Sequence, residues 1–272
     1  MGKIFNQEPE KGGPGLFFIL LTLVIVAVVG ARYLGFYPVT ESGDQTVTSN
    51  EAAGTSTLSP QIAPGPKKLA ASPLVAIYHS HGTESYAPGD SHARGEGGEI
   101  IKVGEAFRQA LADRGIVAVQ SQTLHDFPVF KNAYQNSLTT ITQTLAKNPS
   151  IRMVFDIHRD GLPPEVSDTT TTFVVSGQRT ARLFFLVGDQ NNPHLDANLA
   201  FAKALDARAN QMYPGLSRGV KVSHGNYNDQ VFPQAVNVYI GSYPQNTAAE
   251  AENSARLLAD VVAAMLQEDV KP

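Results

Sequence analysis

The 272-residue chain contains no cysteine, which removes thiolate nucleophiles, disulfide staples and cysteine-rich zinc sites together. Any metal must then be held by His, Asp or Glu. No basic block is present either: Lys67-Lys68 and scattered arginines come nearest, and the net charge is -4. Both facts argue against a nucleic-acid partner, because nothing here would track a phosphate backbone. No internal repeat interrupts the chain, and no G-x-S-x-G elbow surrounds Ser80 or Ser85, so a serine hydrolase built on either hydroxyl is a weak alternative. Apolar residues, by contrast, make up 42% of the sequence, enough for a sizeable core.

Much of that apolar content is concentrated near the N-terminus. Residues 1–14 are short, polar and rich in Gly and Pro, and read as a cytoplasmic tail. Residues 15–31 are uncharged and almost wholly apolar, and after Arg32 the aromatic-rich YLGFY continues the run to Tyr37. A hydrocarbon core of about 30 Å needs roughly 17 to 25 helical residues, so 15–37 is expected to be a single transmembrane anchor. Val29-Gly30-Ala31 is a weak signal-peptide cleavage site, but the hydrophobic run is longer than a signal core, which favours retention. The faint positive-inside bias from Lys3, Lys11 and Arg32 places the bulk of the chain outside the cytoplasm. Residues 38–70, rich in Thr, Ser, Gly, Pro and Ala, read as a flexible linker reaching on the order of 100 Å when extended.

From residue 71 to 272 the pattern becomes alternating strands and helices. Strands are expected at 74–78, 116–120, 152–157, 220–222 and 235–240, with a hairpin joining 169–175 to 181–187 through Ser176-Gly177. Helices are expected at 100–114, 130–147, 195–212 and 248–267. This order predicts one α/β domain of about 200 residues, a mostly parallel open sheet with helices on both faces.

Two of the strands run into histidines. Residues 74–86, LVAIYHSHGTESY, deliver His79, His81 and Glu84 after a buried-type apolar run, and the strand at 152–157 ends in His158, Arg159 and Asp160. In an open α/β sheet the crevice beyond the carboxyl ends of the strands is where ligands bind, so parallel strands would bring these imidazoles together. A catalytic zinc needs three protein ligands and an open position, and the third ligand must be a carboxylate or another His. The Gly-rich GEGGEI supplies Glu96 and Glu99. The competing account is structural: a lone strand-end His is more often a hydrogen-bonded core residue, and paired glutamates at a helix start favour the dipole by a few tenths of a kcal/mol to about 1 kcal/mol. His92, His125 and His194 read as surface groups, and His224, in SHGNYND, is open between the two accounts.

At these residues the chain resembles the stage II sporulation protein P family of membrane-anchored cell-wall hydrolases. The family's H-T-H-x-x-E-S-Y is matched at residues 79–86, its D-I-H-R-D at 156–160, and its R-L-F-F-V-V-G, N-P and Y-P-G-[IL]-S-R-G-V segments at 182–188, 192–193 and 213–220. The resemblance implies an amidase-like fold and a zinc-dependent N-acetylmuramoyl-L-alanine amidase acting on peptidoglycan during engulfment. It also implies an association with endopeptidase cleavage of cross-links, a location between the mother-cell and forespore membranes, and the sporulation proteins D and M as partners. Carried over by position, it makes His81, Glu96 and His158 the metal ligands with Glu99 in reserve. Glu84 becomes a general base or a hydrogen-bonding partner, and His79 an orienting residue. Arg159 is divided equally between binding an acidic group of the stem peptide and a structural salt bridge.

One departure stands out. Where the amidases carry a catalytic glutamate in the last strand, in a pattern like L-I-E-I-G, this chain has Tyr239, and the family's Y-N-Q-D reads Tyr227-Asn228-Asp229-Gln230. A phenol with an ordinary pKa near 10 is a poor base at neutral pH, so the exchange is expected to cost on the order of 100-fold to 10,000-fold in rate unless another carboxylate substitutes. A catalytically weak or inactive peptidoglycan-binding homologue is the alternative this residue raises.

Overall fold

The structure, a computed structural model, describes residues 72–268. The expected tail, membrane anchor and linker lie outside the described residues; among those described, no helix is long and apolar enough to cross a membrane.

The first strand, β1 (Val75–Tyr78), is buried at every position, as a strand covered on both faces must be. It pairs in parallel with β2 (Ala118–Gln120) on one side and β3 (Met153–Gly161) on the other. β3 in turn pairs in parallel with β8 (Ala235–Tyr243). A helix carries the chain back between the first three strands: α1 (Glu99–Asp113) joins β1 to β2, and α2 (Ala133–Lys147), entered through a 3₁₀ turn at Phe130–Asn132, joins β2 to β3.

No such helix follows β3. Residues 162–182 hold only the one-turn α3 (Asp168–Thr171) and a separate hairpin, β4 (Thr172–Val175) with β5 (Gln178–Ala181), so the chain re-enters the sheet from the edge it left. β6 (Leu183–Gly188) therefore runs antiparallel to β8. α4 (Leu195–Met212) then crosses over to β7 (Ser217–Ser223), parallel to β6. The order is β2-β1-β3-β8-β6-β7, a mixed sheet in which four strands run one way and β6 and β7 the other. The expected hairpin is corrected accordingly. Its turn is at Ser176-Gly177, where φ of 51° and 76° suit a two-residue turn with both centres left-handed, but its second strand is β5, and residues 183–188 belong to the main sheet.

Alternating side chains of the central strands build two cores. Ile77, Phe155, Val236 and Val238 join Phe107, Phe201 and Leu258 under α1, α4 and α5 (Ala248–Glu268), while Ala76, Tyr78, Val154 and Ala235 meet Ile141 of α2 on the opposite face. With the sheet covered on both sides, the carboxyl ends of β1, β2, β3 and β8 share one edge.

Candidate active site at the carboxyl edge of the sheet

β1 ends one residue before His79, and register pairs Tyr78 with Asp156, which sets His158 of β3 beside the segment that carries His81. The two imidazole rings lie 5.5 Å apart between centroids. Glu84 joins them: its Oε2 is 3.6 Å from His158 Nδ1 and accepts the backbone N–H of Arg159 at 2.9 Å. On the far side of the ring, His158 Nε2 stands 3.1 Å from Asp156 Oδ1. Asp156 is itself fixed by the Ser80 N–H at 2.8 Å and the Ser80 hydroxyl at 2.5 Å. Ser80 is fully buried in this role, and Ser85 accepts the Glu99 N–H, so neither hydroxyl is placed as a nucleophile.

Burial alone would push His158 down and Asp156 and Glu84 up, but mutual attraction wins. The two carboxylates hold the imidazole well above its ordinary value. Each carboxyl is lowered in return, Glu84 chiefly by His158, and Asp156 by His158 and Ser80. A glutamate stabilised as its anion pairs well with positive charge and is a weak proton acceptor near neutrality. The surroundings of Glu84 therefore suit a charge partner or ligand better than the general base anticipated from its motif.

The neighbouring elements supply groups that motif matching did not single out. After β2, Asp126 lies 3.8 Å from His81 Nδ1 and accepts the hydroxyl of Thr83 at 2.6 Å. Phe130 stacks on His81 at 4.4 Å, and Tyr134 of α2 meets the same ring edge-on at 5.4 Å. From β8, Tyr239 is opposite His158 in register and stacks on it at 5.1 Å and 20°. Burial raises both phenols, so both are neutral acids at any physiological pH. Behind the site, His79 is fully buried with Nδ1 against the Ile157 carbonyl at 3.0 Å, and burial lowers its pKa to about 4. It positions the backbone next to His158. His125, expected at the surface, is instead 2% exposed and bonds the His79 carbonyl through Nδ1 at 2.7 Å. His224, for which the sequence left both accounts open, is exposed and paired with Asp189 at 3.0 Å.

Three other expectations fare differently from His81 and His158. Glu96 is exposed, on the wall of a shallow pocket of about 380 Å³ with Asp90, His92 and Glu99, and does not join the paired histidines. The flexible glycines around it leave it facing solvent. Glu99 is tied down, its Oε2 accepting the Tyr86 N–H at 3.0 Å. The start of α1 is in fact locked to the site loop: Ile100 N–H donates to the Glu84 carbonyl at 3.1 Å, and a Cβ on Gly98 would fall 2.1 Å from that oxygen. Arg159 is 7% exposed and spends its guanidinium on the carbonyls of Ser85, Ser91 and Asp160, contacts that favour the structural of its two expected roles. A bulge explains its inward turn: β3 passes from His158 opposite Tyr239 to Asp160 opposite Ser242, and Gly241, at φ 66°, takes up the extra residue on β8.

Among the described residues no group of three His, Asp or Glu already converges on a point that could hold an ion. The donors nevertheless match a metal in kind. His81 Nδ1 and Asp126 Oδ1 are buried without a hydrogen-bond partner, and His158 turns its Nδ1 to the cleft side beside Glu84. Two ligand atoms on one tetrahedral zinc stand roughly 3.3 Å apart, close to the 3.6 Å between His158 Nδ1 and Glu84 Oε2. Asp156 on the other ring nitrogen is the carboxylate partner that metal-binding histidines commonly have. Glu84, rather than Glu96, is thus the carboxylate that stands with the histidines.

The altered segment after β7 bears on stability. Asp229 is 2% exposed, accepts the Gly188 N–H at 2.7 Å, and is raised by burial to about 6. A carboxyl with a folded pKa above its unfolded value of about 3.9 stabilises fully below that value, and the contribution is lost as pH rises through about 6. Asp229→Asn, which keeps an acceptor for Gly188, is therefore expected to raise the thermal midpoint at pH 7 to 8. It should also flatten the fall in stability between pH 4 and 6, by at most about 3 kcal/mol. Melting curves across that pH range check this, and an unchanged slope would refute it.

Comparison with known proteins agrees with the motifs. A family model described as Stage II sporulation protein P matches residues 38–263. The Stage II sporulation protein P of Bacillus subtilis (strain 168) is 32% identical over 223 residues, covering 76% of this chain and 53% of that protein, so the chain spans about half the length of this curated relative. Among solved structures, the N-acetylmuramoyl-L-alanine amidase AmiC2 of Nostoc punctiforme is similar at 17% identity and a TM-score of 0.45, over 72% of this chain and 97% of that one. The CwlD amidase from Clostridioides difficile, in complex with the GerS lipoprotein, is similar at 12% identity and a TM-score of 0.46, again over 72% and 97%. Likenesses so distant speak to neither substrate nor mechanism. The family match and the shared motifs do carry weight, and on them this chain belongs to the Stage II sporulation protein P family.

Proposed function

We propose that this domain is a peptidoglycan hydrolase that cleaves the amide between N-acetylmuramic acid and the L-alanine of the stem peptide, in spore engulfment. In this reading it works outside the cytoplasm on a membrane anchor, alongside sporulation proteins D and M. The observation that carries the reading is the meeting of His81, His158 and Glu84 at one sheet edge. Family membership supports the substrate class.

His81, His158 and Glu84 would hold a zinc ion, which when bound supplies Lewis-acid polarisation of the amide carbonyl and an acidified water. The chain's own contributions are orientation and proton placement. Asp156 fixes the His158 ring and favours the tautomer with its proton on Nε2, leaving Nδ1 free on the cleft side. Tyr239, neutral and stacked on His158, is placed to donate a hydrogen bond to an oxygen atom that gains charge, and Tyr134 supports it by donating to its hydroxyl. What the cleft lacks beside Tyr239 is a carboxylate of ordinary or raised pKa to take a proton from water. The expected hydrolysis is therefore slow, and a wall-binding protein with little or no activity is the second reading that Tyr239 favours.

Incubating purified peptidoglycan with the protein and identifying the fragments by mass spectrometry separates the two. Release of free stem peptides, abolished by a chelator and restored by zinc, is the expected result. Full release by metal-free protein would sink the zinc reading, and sedimentation with the wall without any release would favour the binder. The same spectra report whether cross-links are cut.

A further inference from the structure

The rim of the cleft carries apolar surface that the reaction itself does not use. Phe127, Val129 and Phe130 are 51%, 41% and 55% exposed. They sit within four consecutive residues, whereas the other large hydrophobics exposed among the described residues, Val174 and Val222, stand apart from them in sequence. Both rings are held from beneath. Phe130 lies on His81 at 4.4 Å and meets His92 edge-on at 5.7 Å, and the Phe127 ring covers Gly95, where a Cβ would come within 3.2 Å of it. The segment on which they ride is pinned as well: Asp126 accepts from Thr83, His125 bonds the His79 carbonyl, and Asn136 donates to the His125 carbonyl at 2.7 Å. This is a rigid aromatic shelf in contact with a residue of the candidate site.

We propose that Phe127 and Phe130 form a platform on which a pyranose ring of the glycan strand stacks. The proposal rests on the reading of the cleft as a peptidoglycan site. Chemistry favours a sugar here. The amide proposed for cleavage hangs from the muramic acid ring by a lactyl group, so an amide bound at the histidines keeps a sugar ring within a few bonds of itself, close to His81. A pyranose turns a flat face of C–H groups to one side and keeps its hydroxyls and acetamide at the edge. Such a face matches a phenyl ring, which takes apolar contact on its surface at low entropic cost. Polar groups for the sugar's edge adjoin the shelf in Ser91 and His92, themselves joined at 3.0 Å. The stem peptide beyond alanine is acidic and polar, and gains little from an apolar shelf.

The test measures binding of an N-acetylglucosamine hexamer, which has no stem peptide, to the full-length protein, its Phe130→Ala and Phe130→Trp variants, and Phe127→Ala. A free stem peptide serves as the second probe. Hexamer affinity is expected to fall about 5-fold to 20-fold on removing either ring and to be kept by tryptophan, with stem-peptide binding unmoved. Where cleavage is measurable, KM for wall fragments should rise by a similar factor with kcat changed much less. Both rings are more than half exposed, so unchanged melting temperatures are expected and should be verified. Hexamer binding that is absent in the wild type, or indifferent to both rings, overturns the platform, as does a loss confined to the stem peptide. Ring-dependent hexamer binding in a protein that cuts nothing leaves the platform standing and removes the hydrolase reading. Cleavage with ring-independent hexamer binding does the opposite.

Discussion

Replacing His158 by glutamine is expected to reduce stem-peptide release by about a thousandfold or more while leaving a folded domain. The ring stands at the centre of the site: 1% exposed, 3.1 Å from Asp156, 3.6 Å from Glu84, 5.5 Å from His81 between centroids, and stacked under Tyr239. Glutamine has nearly the reach of the imidazole and can hydrogen-bond, but it is a poor metal ligand and cannot carry the charge that both carboxylates now compensate. Alanine would be a less informative choice. It would leave Glu84 and Asp156 facing one another in a buried space with their shared partner gone, a situation that costs about 3 to 5 kcal/mol in other proteins. Melting temperature and circular dichroism of His158→Gln establish that the fold survives. Bound zinc per chain should fall in step with activity. Activity within tenfold of the wild type in a folded His158→Gln protein would remove this residue from the chemistry.

The paired histidines were legible in the sequence because they sit where strand pattern and site rule coincide. The runs before His79 and before His158 are short, mostly apolar and β-prone, and two parallel strands must end on one edge. The same rule applied to β2 would have found Asp126 and Phe130, which follow that strand as His81 follows β1. The β2 strand is only three residues long and half-buried, so the polar segment after it gave no comparable signal. Glu84 and Glu96 could not be ranked from spacing. Which carboxylate turns inward depends on the Gly98 contact with the Glu84 carbonyl and on the Arg159 N–H that orients the Glu84 side chain, both of them tertiary. The two roles open to Arg159 could not be ranked from sequence for the same reason, since a bulge one residue wide aims it at backbone carbonyls. The reversal of β6 and β7 follows from a missing crossover helix between β3 and β6, visible in the sequence only once residues 169–187 are correctly divided between hairpin and sheet.

Tyr239→Glu is expected to raise the rate of amide cleavage by on the order of 100-fold to 10,000-fold, the usual contribution of a positioned general base. Tyr239 pairs with His158 across β3 and β8, so a side chain at this position projects along the His158 ring toward the cleft, and Tyr239 is partly open to it. A glutamate there would sit beside the Tyr134 phenol, able to receive its hydrogen bond in place of the Tyr239 hydroxyl. At this position burial pushes an acid's pKa up and His158 pulls it down, with Glu84 and Asp156 adding smaller upward pushes. Partly open to the cleft and not needed to hold His158, the introduced carboxylate would be free to take a proton from water there. Neither Glu84 nor Asp156 is free in this way, because each is already paired with His158. The pH profile supplies a signature that better folding alone would not reproduce: activity gained by the variant should rise with pH through the new carboxyl's pKa, and Tyr239→Gln, similar in size to glutamate and without a titrating group, should show no gain. If Tyr239→Glu is folded, binds zinc and is no faster than the wild type, the missing carboxylate is not what limits this domain. The weight would then shift to a protein that holds the wall without cutting it.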